Sequence, residues 1–115
     1  MTLKEILSVV DGHMVDGECP DADIQMICAS DLMSDILTLE PEKALLVTGL
    51  ANVQSIRTAE MADIEHILFV REKEVTQSMR DLAEESGISL AETELGMFEA
   101  CGKLYAAGLP GGYSS

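Results

Sequence analysis

Runs of continuous apolar residues alternate along the chain with stretches in which apolar residues recur every three or four positions. The continuous runs cover residues 24–29, 44–47 and 67–70, and a shorter one lies near 88–92. A strand that is apolar throughout is typical of a sheet covered on both faces, because neither face of such a strand meets water. Each run therefore predicts a buried strand, and a brief further strand is expected at 13–15.

The stretches between these runs carry apolar residues at helical spacing, and they predict helices over residues 3–10, 32–37, 53–59, 75–83 and 97–105. Four helix ends carry residues that commonly cap helices: Thr2, Ser30 or Asp31, Asn52 and Gly87. Strand and helix alternate with short connections, so the sequence predicts one α/β domain over residues 1–109. We expect a largely parallel sheet of about four to five strands with helices on both faces. Residues 110–115 are expected to form a flexible tail.

Composition and charge exclude several classes of function. The chain has 115 residues, of which 47% are hydrophobic and 24% charged, which supports one globular core. Seven Lys and Arg against 21 Asp and Glu give a net charge of −14, which repels phosphate backbones and anionic lipids. Nucleic-acid and membrane partners are therefore not expected. The first residues include Lys4, Glu5 and Asp11 and no apolar stretch of signal-peptide length, so we expect a cytoplasmic protein.

The motifs that commonly carry catalysis or metals are missing from the sequence. Neither G-x-x-x-x-G-K-S/T nor G-x-G-x-x-G occurs, and His13 and His66 lack metal-ligand spacing. Three cysteines at wide spacing argue against a disulfide framework or a zinc site. Cys28 and Cys101 fall in apolar patterns and are expected in the core. Cys19 lies in an acidic loop, where the negative charge disfavours the thiolate. A redox role for Cys19 is therefore the less favoured hypothesis. We expect no enzyme activity, no cofactor and no metal.

One edge of the predicted sheet is the best candidate for a ligand site. In an open α/β sheet, ligands bind outside the carboxyl ends of the strands, where helix N-termini present unpaired amides. Small polar side chains and one arginine follow these strand ends, and together they suit a small polar or anionic ligand: Ser30, Asp31, Thr48, Gly49, Asn52, Arg71 and Thr93. The alternative is that Ser30, Asn52 and Thr93 are simply helix caps.

Two segments carry a resemblance to a known family. They are residues 45–71, LLVTGLANVQSIRTAEMADIEHILFVR, and residues 83–109, AEESGISLAETELGMFEACGKLYAAGL. With the strand at 67–70 and the pattern over 93–99, they resemble the DRTGG domain family across about residues 12–109.

The resemblance implies a non-catalytic accessory domain. Members of the DRTGG family resemble the N-terminal domain of HPr kinase/phosphorylase and occur beside other modules, where they look like regulatory or dimerising units. The string Asp-Arg-Thr-Gly-Gly is absent from this chain. Only Thr48 and Gly49 match the family's turn, so only they inherit the expectation of a functional turn.

These observations favour a regulatory or scaffold domain that forms a homodimer and binds a protein partner. The alternative is a sensor that binds a nucleotide or a phosphorylated metabolite at the strand ends. Because a chain this short leaves much apolar surface uncovered, self-association is expected to cover some of it. The interface is expected on the helix over 53–62 and on the strand over 67–70 with the turn that follows it. It is expected to avoid the acidic loop over 16–23 and the face that carries Asp81, Glu84 and Glu85.

Overall fold

The computed structural model describes residues 1–30, 43–71 and 74–111. The elements, in chain order, are α1 (Leu3–Val9), β1 (His13–Met14), β2 (Met26–Ala29), β3 (Ala44–Thr48), α2 (Val53–Met61), β4 (His66–Phe69), α3 (Gln77–Ser86), β5 (Ser89–Glu92) and α4 (Met97–Ala106). Each lies close to an element that the hydrophobic pattern predicts. The helix predicted over 32–37 falls outside the described residues, as does Asp31.

The five strands form one sheet in the order β1-β5-β4-β3-β2. Strands β2, β3, β4 and β5 are parallel to one another, whereas β1 pairs with β5 in the antiparallel direction. The predicted α/β class with a largely parallel sheet is therefore confirmed. The parallel strands lie side by side in chain order, so each of the crossovers through α2 and α3 joins neighbouring strands.

The sheet separates two apolar cores. On one face, Ile56 of α2 and Met79 of α3 pack over alternate residues of the strands, such as Leu46 and Phe69. On the other face, α1 and α4 pack over the intervening strand residues, which include Leu45, Val47, Leu68 and Val70. Consecutive residues of β3 and β4 point into different cores, which explains the continuous apolar runs over residues 44–47 and 67–70. Helices cover both faces, as predicted.

Three of the predicted helix ends are confirmed. The Thr2 hydroxyl accepts from the Glu5 amide while the Glu5 carboxylate accepts from the Thr2 amide, which makes a capping box for α1. Asn52 caps α2, and Gly87 ends α3 in the left-handed conformation at φ 69°. The prediction of Thr93 as a helix cap is wrong, because the residue at the start of α4 is Gly96.

The paired chain continues beyond the expected boundary at residue 109. Leu109 is buried, and the Ile27 amide donates to the Pro110 carbonyl at 2.9 Å. Gly111 forms a parallel bridge with Ile27, so the first residues of the expected flexible tail line the outer edge of β2. Residues 112–115 are outside the described part of the chain. No helix among the described residues is long and apolar enough to cross a membrane.

Candidate functional site

The carboxyl ends of the parallel strands bring most of the predicted site residues to one edge. The Ser30 amide donates to the Val47 carbonyl at 3.1 Å, and the Val70 amide donates to the Thr48 carbonyl at 3.1 Å. The Thr93 amide donates to the Phe69 carbonyl at 3.0 Å, one strand further along the sheet. Ser30 and the first residues after β3, β4 and β5 are therefore neighbours at this edge, as the sequence predicts for parallel strands.

The two threonines of this edge face into the protein. Thr48 and Thr93 are both buried, and each hydroxyl accepts from the amide two residues later, Leu50 at 3.1 Å and Leu95 at 3.2 Å. Such hydroxyl-to-amide bonds tighten the turn that follows a strand. The Thr93 hydroxyl also donates to a carbonyl at the end of α1. Both side chains thus stabilise the turns from within.

Asn52 acts as the N-cap of α2. Its side-chain oxygen accepts from the Ser55 amide at 3.1 Å, which satisfies one of the free amides of the first helical turn. The Ser55 hydroxyl donates to the Leu50 carbonyl, so the turn between β3 and α2 is closed by side-chain bonds. The capping alternative is confirmed for Asn52, whose side chain is nevertheless exposed.

Arg71 and Gly49 contact each other across adjacent turns. A Cβ atom added to Gly49 would lie 3.2 Å from the Arg71 Cζ and 3.3 Å from its Nε, and closer still to Nη2. Gly49 does not adopt a left-handed φ, so the absent side chain makes room for the guanidinium. Arg71 itself has φ 64°, a conformation that is uncommon for residues other than glycine, and its amide donates to the Leu95 carbonyl at 2.8 Å.

The predicted ligand residues therefore separate into two groups. Thr48, Gly49 and Thr93 are buried and shape the turns, whereas Asn52 and Arg71 are exposed at the edge. Ser30 is half-buried there, at the end of β2. Arg71 places a positive charge at this edge of a chain of net charge −14, and a guanidinium is a suitable partner for an anionic group.

The histidines and cysteines occupy separate places. The His13 Nε2 lies 2.7 Å from a Glu92 carboxylate oxygen, across β1 and β5. Burial lowers the pKa of His66, and its Nδ1 is buried without a hydrogen-bond partner among the described residues. Cys28 is in the core as predicted, and burial raises its thiol pKa. Within the described ranges, no three His, Cys, Asp or Glu side chains gather closely enough to hold a metal ion.

Helix α4 exposes two large apolar side chains. Phe98 and Tyr105 are 90% and 76% exposed, whereas Ala100 and Leu104 of the same helix are fully buried. Phe98, Gly102 and Tyr105 follow each other at intervals of four and three residues, so they lie along one face of the helix. We call these three residues the α4 stripe.

An apolar groove of about 430 Å³ borders the α4 stripe. It lies between α4 and the edge strand β2, and its walls include Ile27, Ala29, Met97, Cys101 and Leu109. Cys101 is half-buried there with its sulfur 3.5 Å from that of Met97, and burial raises its thiol pKa. The stripe and the groove together form a continuous apolar surface.

This surface changes two expectations. The sequence pattern assigns Phe98, Cys101, Leu104 and Tyr105 to one apolar face, but only Leu104 of these four is fully buried. The prediction that the strand over 67–70 forms a dimer interface is wrong. This strand, β4, is the middle strand of the sheet, and its residues 67–69 are buried. Helix α2 stays a candidate surface, since Met61 is 70% exposed.

An acidic surface lies on the face of the sheet opposite to α4. A cleft of about 370 Å³ between α3 and the loop after β1 is lined by Asp16, Glu18, Asp81 and Glu84. The one basic residue in its wall, Arg80, has its Nε 3.5 Å from an Asp16 carboxylate oxygen. The side chains of α4 include one acid, Glu99, and one base, Lys103.

Comparison of the sequence with protein-family models and with curated proteins finds no match. The resemblance to the DRTGG domain family therefore stays a prediction.

Proposed function

We propose that this protein is a non-catalytic regulatory or scaffold domain of the cytoplasm that acts as a homodimer and binds a protein partner in that state. The observation that carries the proposal is the exposure of Phe98 and Tyr105, at 90% and 76%, on one helix face. Burying an aromatic or large aliphatic side chain is worth roughly 1.5–3 kcal/mol. An interface that covers both residues therefore makes the free energy of association more favourable. The resemblance to DRTGG domains supports the same function.

The charge distribution favours a second copy on the α4 side. Two chains of net charge −14 repel each other unless they meet through a surface with little charge. Helix α4 carries one negative and one positive side chain, whereas α3 on the opposite face carries three acids, Asp81, Glu84 and Glu85, and one base, Arg80. Contact through α4 keeps the α3 carboxylates of the two copies far apart, where salt screens them.

The mass in solution tests this proposal. Light scattering at micromolar concentration in about 0.15 M salt, where the Debye length is about 8 Å, should give twice the 12.4 kDa of one chain. Raising the salt should strengthen the dimer, because it screens the repulsion between two acidic chains. A mass of one chain over the whole concentration range contradicts the proposal.

A second candidate function is a sensor for a small anionic molecule at the carboxyl edge. The observation that favours it is Arg71, whose backbone has a left-handed φ of 64° and whose guanidinium lies against Gly49. Unusual backbone conformations of this kind concentrate at functional sites. The turn geometry directs the arginine to the edge where α/β proteins bind ligands.

A thermal-shift panel separates the two candidates. A ligand that binds only the folded state raises Tm as its concentration exceeds Kd. Nucleotides, phosphorylated sugars and inorganic phosphate should raise Tm for a sensor, and the rise should vanish in Arg71→Gln. A flat panel with a dimeric protein supports the scaffold function alone.

A further inference from the structure

The residues of the α4 stripe are spaced symmetrically, so that the stripe of one copy is complementary to the stripe of a second, antiparallel copy. Phe98 and Tyr105 stand seven residues apart, about 10 Å along the helix axis, with Gly102 and Cys101 between them. The midpoint of the two aromatic residues lies between positions 101 and 102. Glu99 and Lys103 are centred on position 101, within about 1 Å of the same point along the axis.

From this symmetry we infer that two copies of the protein pack their α4 helices antiparallel across a two-fold axis at Cys101 and Gly102. Phe98 of each copy then lies against Tyr105 of the partner subunit, and Glu99 faces Lys103 of the partner subunit. Two-fold contacts require a surface that is complementary to itself, and the antiparallel arrangement meets this requirement for both pairs. This inference rests on the proposed homodimer and specifies its interface.

Gly102 makes the close helix approach feasible. Beyond the neighbouring residues and backbone of its own helix, a Cβ added to Gly102 would meet no atom within 4 Å, so the position is open toward the outside. Small residues at a helix crossing let the two backbones approach closely, and the aromatic residues on either side then meet across the axis. The exposed glycine is otherwise unfavourable in the middle of a helix, where alanine is preferred.

The charges distinguish the antiparallel arrangement from a parallel one. A parallel pair in register would set Glu99 against the partner's Glu99 and Lys103 against the partner's Lys103, which repels at both places. The antiparallel pair gives two attractions. A purely intrahelical role for Glu99 and Lys103, at the acidic first turn and basic last turn, predicts no effect on dimerisation.

The first experiment tests which helix forms the interface. Sedimentation of Phe98→Glu and Tyr105→Glu should show dimer dissociation constants at least about tenfold higher than wild type, as for interface residues that carry much of the binding energy. The matched control is Met61→Glu, which adds the same charge at the 70% exposed Met61 of α2 and should leave the dimer intact. Circular dichroism checks that each variant keeps its helices.

The second experiment tests the register. Glu99→Lys changes the net charge from −14 to −12, which by itself favours association, yet it should raise the dissociation constant roughly three- to tenfold. Glu84→Lys makes the same change of net charge on α3 and should leave association unchanged or tighter. The exchange of both charges, Glu99→Lys with Lys103→Glu, restores the net charge and should restore the dimer.

Each outcome has a distinct consequence. A monomeric wild type overturns both this inference and the proposed function. A dimer that Met61→Glu dissociates and Phe98→Glu does not overturns the α4 interface and leaves the homodimer standing. If Glu99→Lys associates as tightly as Glu84→Lys, the antiparallel register is wrong.

Discussion

The hydroxyl of Thr93 donates a hydrogen bond to the carbonyl of Val10, with 2.7 Å between the two oxygens. Val10 is the C-cap of α1, where the last helical carbonyls have no partner within the helix. Thr93 follows β5 and is buried. One side chain therefore satisfies a helix end that is 83 residues away in sequence and fixes α1 to the carboxyl edge of the sheet.

Thr93→Val should reduce the free energy of unfolding by about 1–3 kcal/mol, because the Val10 carbonyl and the Leu95 amide would lose their partner in a buried place. Chemical denaturation at one fixed protein concentration measures the change. Thr93→Ser is the control, since it keeps the hydroxyl and removes only a methyl group, and it should cost less. A serine variant that is less stable than the valine variant would show that packing of the methyl group matters more.

Gly49→Ala should destabilise the protein by about 1 kcal/mol, at the low end for overpacking, because the added methyl group displaces the Arg71 guanidinium. The cost is small because the displaced group is the end of a flexible, exposed side chain. In an Arg71→Ala background the same substitution should cost nothing. Denaturation of the two single variants and the double variant gives the coupling energy, and additive effects would mean that the two residues do not constrain each other.

Asn52→Ala should destabilise the protein by about 1 kcal/mol, because the Ser55 amide loses its capping oxygen at the start of α2. Asn52→Asp retains an acceptor at the same place and adds a negative charge at a helix N-terminus, so its stability should equal or exceed that of wild type. Equal losses in both variants would assign the role of Asn52 to its amide nitrogen.

The central strands β3 and β4 could be predicted from the sequence because they are buried on both faces. Leu45 and Leu46 point into different cores, so residues 44–47 of β3 are all apolar and stand out as a continuous run. The order of the strands in the sheet could not be predicted from these apolar runs. The antiparallel partner of β1 is β5, with His13 opposite Glu92, and this long-range pairing follows no local pattern.

The candidate site could be predicted only in part. Residues that follow parallel strands must meet at one edge, which brings Thr48 and Arg71 together. Whether a threonine points outward or bonds to a backbone group depends on neighbours that are remote in sequence, as Val10 is for Thr93. The exposed stripe of α4 was missed because apolar residues lie on most sides of that helix, and periodicity alone does not tell which side meets the sheet.

His66 begins the central strand β4 and provides the pH-dependent prediction. Burial lowers its pKa below the unfolded value of 6.5, and the nearby Glu65 carboxylate opposes this shift without cancelling it. Its buried Nδ1 has no hydrogen-bond partner in the described part of the chain, so a proton there would be poorly stabilised. The neutral imidazole is therefore the form that the fold favours.

As the pH falls below about 6.5, the unfolded chain binds a proton at His66 before the folded chain does, so the free energy of unfolding should decrease. The contribution is fully present above the unfolded pKa and is lost as the pH falls through the lowered pKa of the folded state. Denaturation curves between about pH 7.5 and pH 5, above the range in which most carboxylates titrate, measure this slope. The slope should flatten in His66→Gln, which cannot titrate, and should persist in the control His13→Gln, which leaves His66 in place. If the slope is unchanged in His66→Gln, a group other than His66 causes the pH dependence.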